Sequence, residues 1–489
     1  MIAPPGSPPK ADVQRLIVRG YTLNRSRHFV LQVRDRAAAR GFLKELVQRR
    51  LITNATIDHS DAALLNCHGH CPTNIGFSFR GLEALQLDLP YLRVFQEKAP
   101  AFAEGAYARA AQHLADTGDS AAPYWDECFR PERAHILLSL YADEQCELDA
   151  HAHTLEQIPG AAGLGDWKVF LDGAHLSRDR KKRTVHFGFR DGISDPPIEG
   201  FPEREPTLRS PAPKAHAAGE FLLGYANDEK FNPWLLVNPS PLPNPWLPPS
   251  ARVDAEFFRN GSFAAFRKIE QREREFREFV SAWATPHGIS AEYVRAKLVG
   301  RWDDGHVVQP GEESPPAPPR TPEDRRKDDA RLNDFDFSID RDGEGCPFGA
   351  HIRRMNPRAD PVVPFRRRPL ARRGMPYGPS FDSAPEEKRG LLGLFFCASL
   401  EDQFEHLLGQ WANANPMGPD NRGDAKDPLI GNHENPRSIF DIPVPGESLR
   451  MLHGFTPFMA TRGTLYAFYP GLRALRRIAG MASSACDEA

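Results

Sequence analysis

The same order of strand and helix patterns occurs twice in this chain of 489 residues, and this repetition constrains its fold more than any other feature. In the first half, apolar spacing predicts strands at 29–33, 75–79, 135–141, 167–171 and 184–189. A helix capped by Asp35 follows the first strand, and a helix over 144–158 follows the third. Two rounds of strand, helix and strand are typical of the split βαβ, or ferredoxin-like, arrangement.

A second copy of this pattern begins after a polar, proline-rich junction at 201–217. Its predicted strands are 220–225, 262–269, 390–398 and 463–469, and its predicted helices are 276–283, 400–413 and 471–478. We therefore predict an α+β fold of two ferredoxin-like domains with antiparallel sheets, 13–200 and 218–489, joined by the 201–217 linker and preceded by a disordered tail, 1–12. Long irregular segments, which usually serve function, interrupt the second domain at 237–250, 305–345, 356–371 and 414–447.

Composition excludes several classes of function. A hydrophobic share of 40% and a charged share of 26% are typical of a globular protein, and a net charge of −3 gives no reason to expect a nucleic acid or a membrane as partner. The N-terminus lacks the apolar core of a signal peptide, and no apolar run reaches membrane-spanning length. Seven thinly spread cysteines fit reduced thiols, so we expect a cytoplasmic protein. The oligomeric state stays open, a homo-oligomer included.

The segment 185–196 places one carboxylate, Asp191, between Gly188 and Gly192. Glycine lets a backbone approach a flat ligand or adopt a positive φ. An acid in such an aromatic-flanked turn would be poorly hydrated, which suits a proton carrier. An ordinary Asp-Gly surface turn is equally consistent with these residues alone.

Another segment, 346–358, contains one histidine and three arginines among small and apolar residues. A neutral imidazole such as that of His351 can ligate a metal or haem iron. The guanidiniums of Arg353, Arg354 and Arg358 could pair with carboxylates such as haem propionates. Taken alone, a buried histidine bonded to backbone is the commoner case.

Two further segments could complete a site. Arg372 and Arg373 precede a predicted proline turn, and an arginine pointing into a cavity can stabilise a developing oxyanion. The apolar strand 390–398 could wall a cofactor pocket with the residues of one face, Leu392, Leu394 and Phe396. A solvated basic turn and a plain core strand are the alternatives.

Together and in this order, these segments resemble those of the dye-decolourising peroxidases, a family of haem peroxidases. Gly188-Phe-Arg-Asp-Gly192 is similar to the family's GxxDG motif, 346–354 to its proximal-histidine segment, and 372–378 to its distal-arginine segment. The resemblance spans nearly the whole chain. It implies a fold of the dimeric α+β barrel type, in which the haem is held mainly by the C-terminal module.

The resemblance also implies chemistry for particular residues. It implies haem b as cofactor, hydrogen peroxide as oxidant, and small or bulky organic donors such as dyes and phenolics, oxidised through a high-valent iron–oxo intermediate. Asp191 would be the distal acid–base residue, Arg372 would stabilise O–O cleavage, and His351 would be the axial iron ligand. The implied cofactor contacts are Gly192, Ile193, Ser194, Arg353, Arg372, Leu394 and Phe396. Tyr377 and Trp411 are candidates for electron transfer, with core packing as the alternative for Trp411.

Other readings stay open. A haem-binding or haem-handling protein without catalysis would use the same pocket. Cys67-His-Gly-His-Cys71 offers two thiols and two imidazoles, but its spacing matches neither covalent haem attachment nor the usual paired zinc ligands, so a structural role is favoured. For the carboxylate that would hold the proximal histidine, we find only one candidate, Asp441.

Overall fold

The fold is seen in a computed structural model, which describes residues 7–56, 71–201, 215–234, 253–321, 323–324, 332–333, 335–360, 367–414, 426–434, 437–443 and 450–481. Its strands are β1 (Arg25–Val33), β2 (Thr73–Phe77), β3 (Ile136–Ala142), β4 (Leu164–Gly165), β5 (Phe170–Ala174), β6 (Ser262–Gln271), β7 (Ala371–Tyr377), β8 (Gly390–Cys397), β9 (Phe440–Ile442), β10 (Arg450–Leu452) and β11 (Met459–Tyr469). Nine of these form one sheet, and β9 and β10 form a separate pair.

The nine-stranded sheet brings the two halves of the chain side by side. Its order is β4-β1-β3-β2-β11-β6-β8-β7, with β5 also paired to β1, and every pairing is antiparallel. The halves meet where Phe77 of β2 pairs with Phe468 of β11. The outer strands approach each other as well, because a Cβ added to Gly173 of β5 would lie 3.1 Å from the Met375 Cβ of β7. The predicted α+β fold with antiparallel sheets is confirmed, and the sheet curls toward a barrel.

Most helices pack around this sheet with their apolar faces inward, whereas Glu273–His287 and Ala291–Val299 pack together in a second core with β9 and β10. The longer ones are Arg36–Gln48, Leu89–Lys98, Ala106–His113, Gln145–Glu156, Glu273–His287, Ala291–Val299 and Leu400–Trp411, and shorter ones are Arg15–Val18, Phe79–Ala84, Pro100–Glu104, His351–Met355 and Leu472–Ile478. Asp35 caps the first long helix as predicted, since its carboxylate accepts from Ala38 N at 3.0 Å. No helix among the described residues is both long enough and apolar enough to cross a membrane.

Three local predictions are wrong. The segment 184–189 is not a strand but a turn, closed by an isolated bridge between Thr184 and Arg190. The segment 220–225 is not a strand. It begins in a 3₁₀ turn, Ala218–Glu220, and continues as a loop whose apolar side chains are buried. The segment 371–377 is not a turn but strand β7, which pairs with β8 along its length. Pro376 fits there because β7 ends the hydrogen-bonded order of the sheet, where a missing N–H is tolerated.

The tail predicted over 1–12 is packed where it is described. Asp12 accepts hydrogen bonds from Asn260 Nδ2 and from Arg473 N, both at 2.7 Å, so it ties the chain start to the second half. Residues 1–6 lie outside the described residues. So do 237–250 and most of the 201–217 junction, and the division into two domains at that junction stays a prediction.

Candidate active site

A cavity of about 1270 Å³ lies between the sheet and the long loops of the second half. Asp191, Arg372 and His351 all line it, although they come from three distant segments. Gly192, Ile193 and Ser194 line it too. The volume exceeds that of most small-molecule sites, which span roughly 300–1,000 Å³.

The turn that carries Asp191 depends on its two glycines. Gly188 has φ +88° and Gly192 has φ +76°, a region that residues with a Cβ rarely adopt. Asp191 N donates to Arg183 O at 3.4 Å. The carboxylate reaches over β7, where a Cβ added to Gly374 would lie 3.7 Å from Asp191 Oδ2. The acid is thus placed beside the strand that carries Arg372.

An arginine from outside the motif braces this turn. Arg295 Nη2 donates to Phe187 O at 2.6 Å and pairs with Asp303 at 3.0 Å. A Cβ at Gly188 would lie 2.5 Å from the same Nη2, so the glycine also makes room for the brace. Asp303 O accepts from Arg190 N at 3.0 Å, and burial raises the pKa of its carboxyl to about 6, although Arg295 opposes this rise. Sequence patterns gave no signal for Arg295.

Arg372 and Arg373 have opposite surroundings because successive residues of a strand face opposite sides. Arg372 is exposed, and its Nη2 donates to Ser194 Oγ at 2.7 Å. Arg373 is buried; its Nη1 binds both carboxylate oxygens of Asp195 at 2.7 Å, and its Nε donates to Leu16 O at 2.9 Å. Both arginines therefore hold the residues that follow Asp191, one from each face of β7.

His351 begins the helix His351–Met355 and is oriented by Asp427. Its Nδ1 lies 2.9 Å from Asp427 Oδ2, and the other oxygen, Oδ1, accepts from Leu429 N at 2.9 Å and from Ile430 N at 3.0 Å. Burial acts to raise the pKa of Asp427, but His351 and the backbone amide of Ile430 outweigh it, and the pKa is lowered. The carboxylate is therefore charged, and Nε2 is the ring nitrogen left for a ligand.

The prediction that Asp441 is the carboxylate partner of His351 is wrong. Asp441 lies in β9, opposite Met451 of β10. Asp427 comes instead from the long segment 414–447, which the sequence marked as functional without indicating which of its acids matters. Only the folding of that loop onto the His351 helix identifies the residue.

Arg353, predicted to contact the cofactor, is buried away from the cavity. Its side chain is 1% exposed and binds Asp360 Oδ2 through Nε at 2.6 Å and Asp340 Oδ2 through Nη1 at 3.2 Å. The guanidinium lies over the rings of Phe337 and Phe348, at 4.7 Å and 4.2 Å from their centroids. The prediction for Arg353 is wrong because its guanidinium pairs with two buried carboxylates of the protein and does not reach the cavity.

The three arginines of this segment divide between interior and cavity. Arg354, like Arg353, is buried, and it donates to Trp411 O at 2.6 Å. Arg358 alone of the three lines the cavity, where its Nη1 donates to Asn333 O at 2.6 Å.

Of the wall predicted on β8, Leu392 and Leu394 line the cavity, whereas Phe396 does not. Phe396 is fully buried, packs edge-on against Tyr469 at 4.9 Å between ring centroids, and is absent from the cavity lining. Leu394 is 1% exposed and belongs to the main core, although it also borders the cavity.

The opposite face of β8 is the one that Arg372 shares. Phe395 pairs with Arg372, and Gly393 pairs with Gly374, so these residues lie on the same side of the sheet. All four line the cavity. Leu392 and Leu394 of the other face line the cavity as well, so both faces of β8 border it, which alternation did not predict.

The two electron-transfer candidates lie outside the cavity lining. Tyr377 is half-buried at the end of β7, with its ring 5.3 Å from Lys268 Nζ, and burial raises the pKa of its phenol. Trp411 is 3% exposed and forms a small buried cluster with Leu407, against which Met355 of the His351 helix packs.

Most of the cysteine–histidine cluster, 67–70, lies outside the described residues. Cys71 is buried, its Sγ lies 3.6 Å from Glu147 O, and burial raises the pKa of its thiol to about 12. A metal would need the thiolate, which this environment disfavours.

Comparisons with known proteins show the family to which this chain belongs. Residues 12–163 match the family model of the DyP dimeric alpha+beta barrel domain. A dye-decolorizing peroxidase of Exidia glandulosa is 30% identical over 82% of this chain and 74% of its own, and one of Mycetinis scorodonius is 28% identical over 96% and 87%. The structure of an ancestral D-type dye decolorizing peroxidase, 27% identical, superposes with a TM-score of 0.75 over 98% of this chain and all of its own. Another, solved with 2,6-dimethoxyphenol and 26% identical, gives a TM-score of 0.74 over 96% of this chain and 99% of its own. The chain therefore belongs to the dye-decolourising peroxidases, a haem-dependent family, and it is a peroxidase.

Proposed function

We propose that this chain binds haem b in the cavity and uses hydrogen peroxide to oxidise organic donors such as phenols and dyes. His351 would ligate the haem iron, Asp191 would act as the acid–base residue, and Arg372 would stabilise charge. One observation carries the proposal: all three line one cavity, with His351 Nδ1 engaged by Asp427 and Nε2 left for iron. The complex of a related peroxidase with 2,6-dimethoxyphenol supports phenols as donors.

The cavity walls fit a flat macrocycle with acidic side chains. Gly374 of β7 leaves strand surface open, since a Cβ there would meet only Asp191 Oδ2, at 3.7 Å, whereas the Phe395 ring covers the paired Gly393, 2.8 Å from an added Cβ. A flat ring can approach the backbone at Gly374. Arg358 and Arg368 line the cavity and can bind propionate carboxylates. Of the predicted contacts, Gly192, Ile193 and Ser194 fit this placement, whereas Phe396 and Arg353 do not.

Haem, when bound, supplies the redox chemistry. Asp191 takes a proton from peroxide at its carboxylate and returns it to the departing oxygen. The permanent charge of Arg372 stabilises the negative charge that develops as the O–O bond breaks, and Ser194 Oγ, 2.7 Å from Nη2, orients the guanidinium. Asp427 holds the Nδ1 proton of His351 and makes Nε2 a stronger donor to iron.

Donors too large for the cavity need a route for electrons through the protein. Tyr377 and Trp411 are our candidates for this route. Tyr377 is the better placed to meet a bulky donor, because it is half-buried while Trp411 is 3% exposed. The hydrogen bond from Arg354 Nη1 to Trp411 O, at 2.6 Å, supports a link from Trp411 to the His351 helix instead.

Rapid mixing of the haem-loaded protein with peroxide tests these roles. Asp191→Asn and Arg372→Leu should each slow the reaction with peroxide by roughly 10²–10⁴-fold, whereas the control Glu199→Gln, an exposed acid nearby, should not. His351→Ala should lose haem or shift its absorption spectrum. Wild-type rates in both distal variants would refute the proposed roles. A haem-handling protein without catalysis would show no peroxide-dependent oxidation of 2,6-dimethoxyphenol at all.

A further inference from the structure

The cavity also reaches the second face of β7 and β8, the face opposite Arg372. Met375 of β7 pairs with Leu392 of β8, and both side chains line the cavity together with Leu394. These three side chains are at most 4% exposed, so the space that they border lies inside the curled sheet and not on the surface. The strands themselves therefore separate this space from the face that carries Arg372.

The N-terminal half contributes polar side chains to the same space. Ser26 and His28 of β1 lie on one face with Tyr141 of β3, which pairs with Ser26, and all three line the cavity. They are 0%, 3% and 5% exposed. The inside of a curled sheet is normally apolar, and polar side chains buried there need a partner. We call the space between these three side chains and the apolar wall of Met375, Leu392 and Leu394 the inner chamber.

Two contacts show that the polar and the apolar walls of the inner chamber are close together. A Cβ added to Gly173 of β5 would lie 2.7 Å from Ser26 Oγ and 3.1 Å from the Met375 Cβ, so both side chains lie beside this glycine. The ring centroids of His28 and Phe266 are 4.8 Å apart, and Phe266 belongs to β6, the strand next to β8. The inner chamber is therefore bounded by both halves of the chain.

Two polar atoms of the inner chamber are unpaired among the described residues. Ser26 Oγ is buried and makes no hydrogen bond. His28 Nδ1 lies 2.9 Å from Ser139 Oγ, and its Nε2 makes no hydrogen bond within the described part of the chain. Burial lowers the pKa of His28 to about 3, so its ring is neutral and Nε2 accepts a hydrogen bond when Nδ1 carries the proton. A buried polar atom without a partner is costly, which favours a ligand that pairs with it.

The chemistry of the inner chamber specifies the kind of ligand that fits it. Its apolar wall suits a hydrocarbon ring, and its hydroxyl and imidazole supply one hydrogen-bond donor and one acceptor. Arg373, on the same face of β7 as Met375, has its charge matched by both oxygens of Asp195. A charged ligand would lose its hydration here without an opposite charge to replace it. The ligand that fits is a small uncharged ring with one hydroxyl.

We propose that the inner chamber is a second ligand site, separate from the haem site, which binds a small uncharged phenol. The phenol hydroxyl donates to His28 Nε2 and accepts from Ser26 Oγ, and its ring packs against Leu392 and Leu394. None of these groups depends on haem, so the site is independent of the proposed cofactor. Because β7 and β8 separate the two sites, a phenol in the inner chamber leaves the distal side open to peroxide.

Two ligands that share a ring test the inner chamber: p-cresol, which carries a hydroxyl, and toluene, which does not. In calorimetric titrations of the haem-loaded protein, p-cresol should bind roughly tenfold more tightly than toluene, because only p-cresol pairs with both polar atoms. Saturating the iron with cyanide should leave the affinity for p-cresol unchanged. Equal affinities for the two ligands, or loss of p-cresol binding in cyanide, would overturn the proposal.

Two variants assign the binding to the inner chamber. Ser26→Ala and His28→Phe should each weaken p-cresol binding roughly fivefold or more while the affinity for toluene and the rate with peroxide stay unchanged. Ser338→Ala and His153→Phe, at exposed positions outside the cavity lining, are the matched controls and should bind p-cresol as the wild type does. Unchanged p-cresol affinity in the chamber variants, or an equal loss in the controls, would refute the site.

The Ser26 variant keeps the test decisive if His28→Phe does not fold. Ser26→Ala removes a hydroxyl that is unpaired in the protein, so its melting temperature without ligand should equal or exceed that of the wild type. Failure of the haem site would look different from failure of the inner chamber. In that case the reaction with peroxide would be absent, while p-cresol would still bind and Ser26→Ala would still weaken it.

Discussion

The two sides of the cavity are built differently. On the proximal side, His351 is held by Asp427, which is fully buried and accepts from two backbone amides as well. On the distal side, Asp191 and Arg372 are exposed, and the described contacts that place them are a backbone bond of 3.4 Å and one hydrogen bond to Ser194. One side is fixed by buried charge, and the other by backbone shape.

The difference follows from what each side must do. An iron ligand works best when its orientation never changes, and buried, mutually satisfied charges give that rigidity at the cost of large penalties when one partner is lost. An acid that exchanges protons with an incoming substrate must stay accessible. Its position therefore comes from positive-φ glycines and from the Arg295 brace, which leave the carboxylate open.

The largest expected effect belongs to the buried charges beneath His351. Arg353→Met leaves Asp340 and Asp360 buried without their cation, and the free energy of unfolding should fall by about 3–5 kcal/mol. Arg358→Met, which changes a half-buried arginine of the cavity wall, should cost about 1 kcal/mol or less and weaken haem retention instead. Chemical denaturation with and without haem measures both. Similar losses of unfolding free energy in the two variants would show that Arg353 contributes no more to stability than Arg358 does.

Acid should weaken the proximal side next. His433 Nε2 lies 2.8 Å from Asp427 O, and burial lowers the pKa of this histidine to about 4. Because the unfolded histidine binds its proton near pH 6.5, the stability that the neutral form contributes is complete above that pH and is lost as the pH falls toward 4. Between pH 7 and pH 4 the wild type should lose about 3 kcal/mol more than His433→Gln. Parallel unfolding curves for the two proteins would show that His433 does not titrate in this way.

The link between Asp427 and His351 should have a smaller effect. Asp427→Asn removes the charge that orients the imidazole, and haem affinity should fall by roughly 10–100-fold. Asp441→Asn is the matched control, since Asp441 lies in β9 rather than against His351. Haem titration of the apoproteins measures both affinities. An equal fall in the control would assign the effect to stability instead of orientation.

The smallest expected effect is on the distal side. Arg295→Gln loosens the turn of Asp191, and the rate with peroxide should fall roughly tenfold while the haem spectrum stays unchanged. Arg178→Gln, which breaks an exposed pair with Glu144, should leave that rate unaltered. In an Asp191→Asn background the Arg295 change should cost nothing further, because the brace acts through Asp191. Additive losses of rate in the double variant would contradict the inference that Arg295 acts by positioning Asp191.

Periodicity predicted the parts of the fold that are local. The helix after Asp35, the strands at 29–33 and 262–269, and the π-wound helix Leu400–Trp411 all appear near their predicted positions. The strand at 371–377 was missed because its arginines, glycine and proline have the composition of a turn. Its extended form comes from pairing with β8, which no local pattern contains.

The chain by itself determined the fold class and the three segments that meet at the cavity, because residue type and spacing are properties of the sequence. Only the tertiary structure decided which carboxylate holds His351, that both faces of β8 border the cavity, and which arginine of 353–358 reaches it. Each of these depends on how distant segments pack; Asp427 and His351 are 76 residues apart. The charge of a side chain follows from its residue type, whereas the partner of that charge depends on the fold.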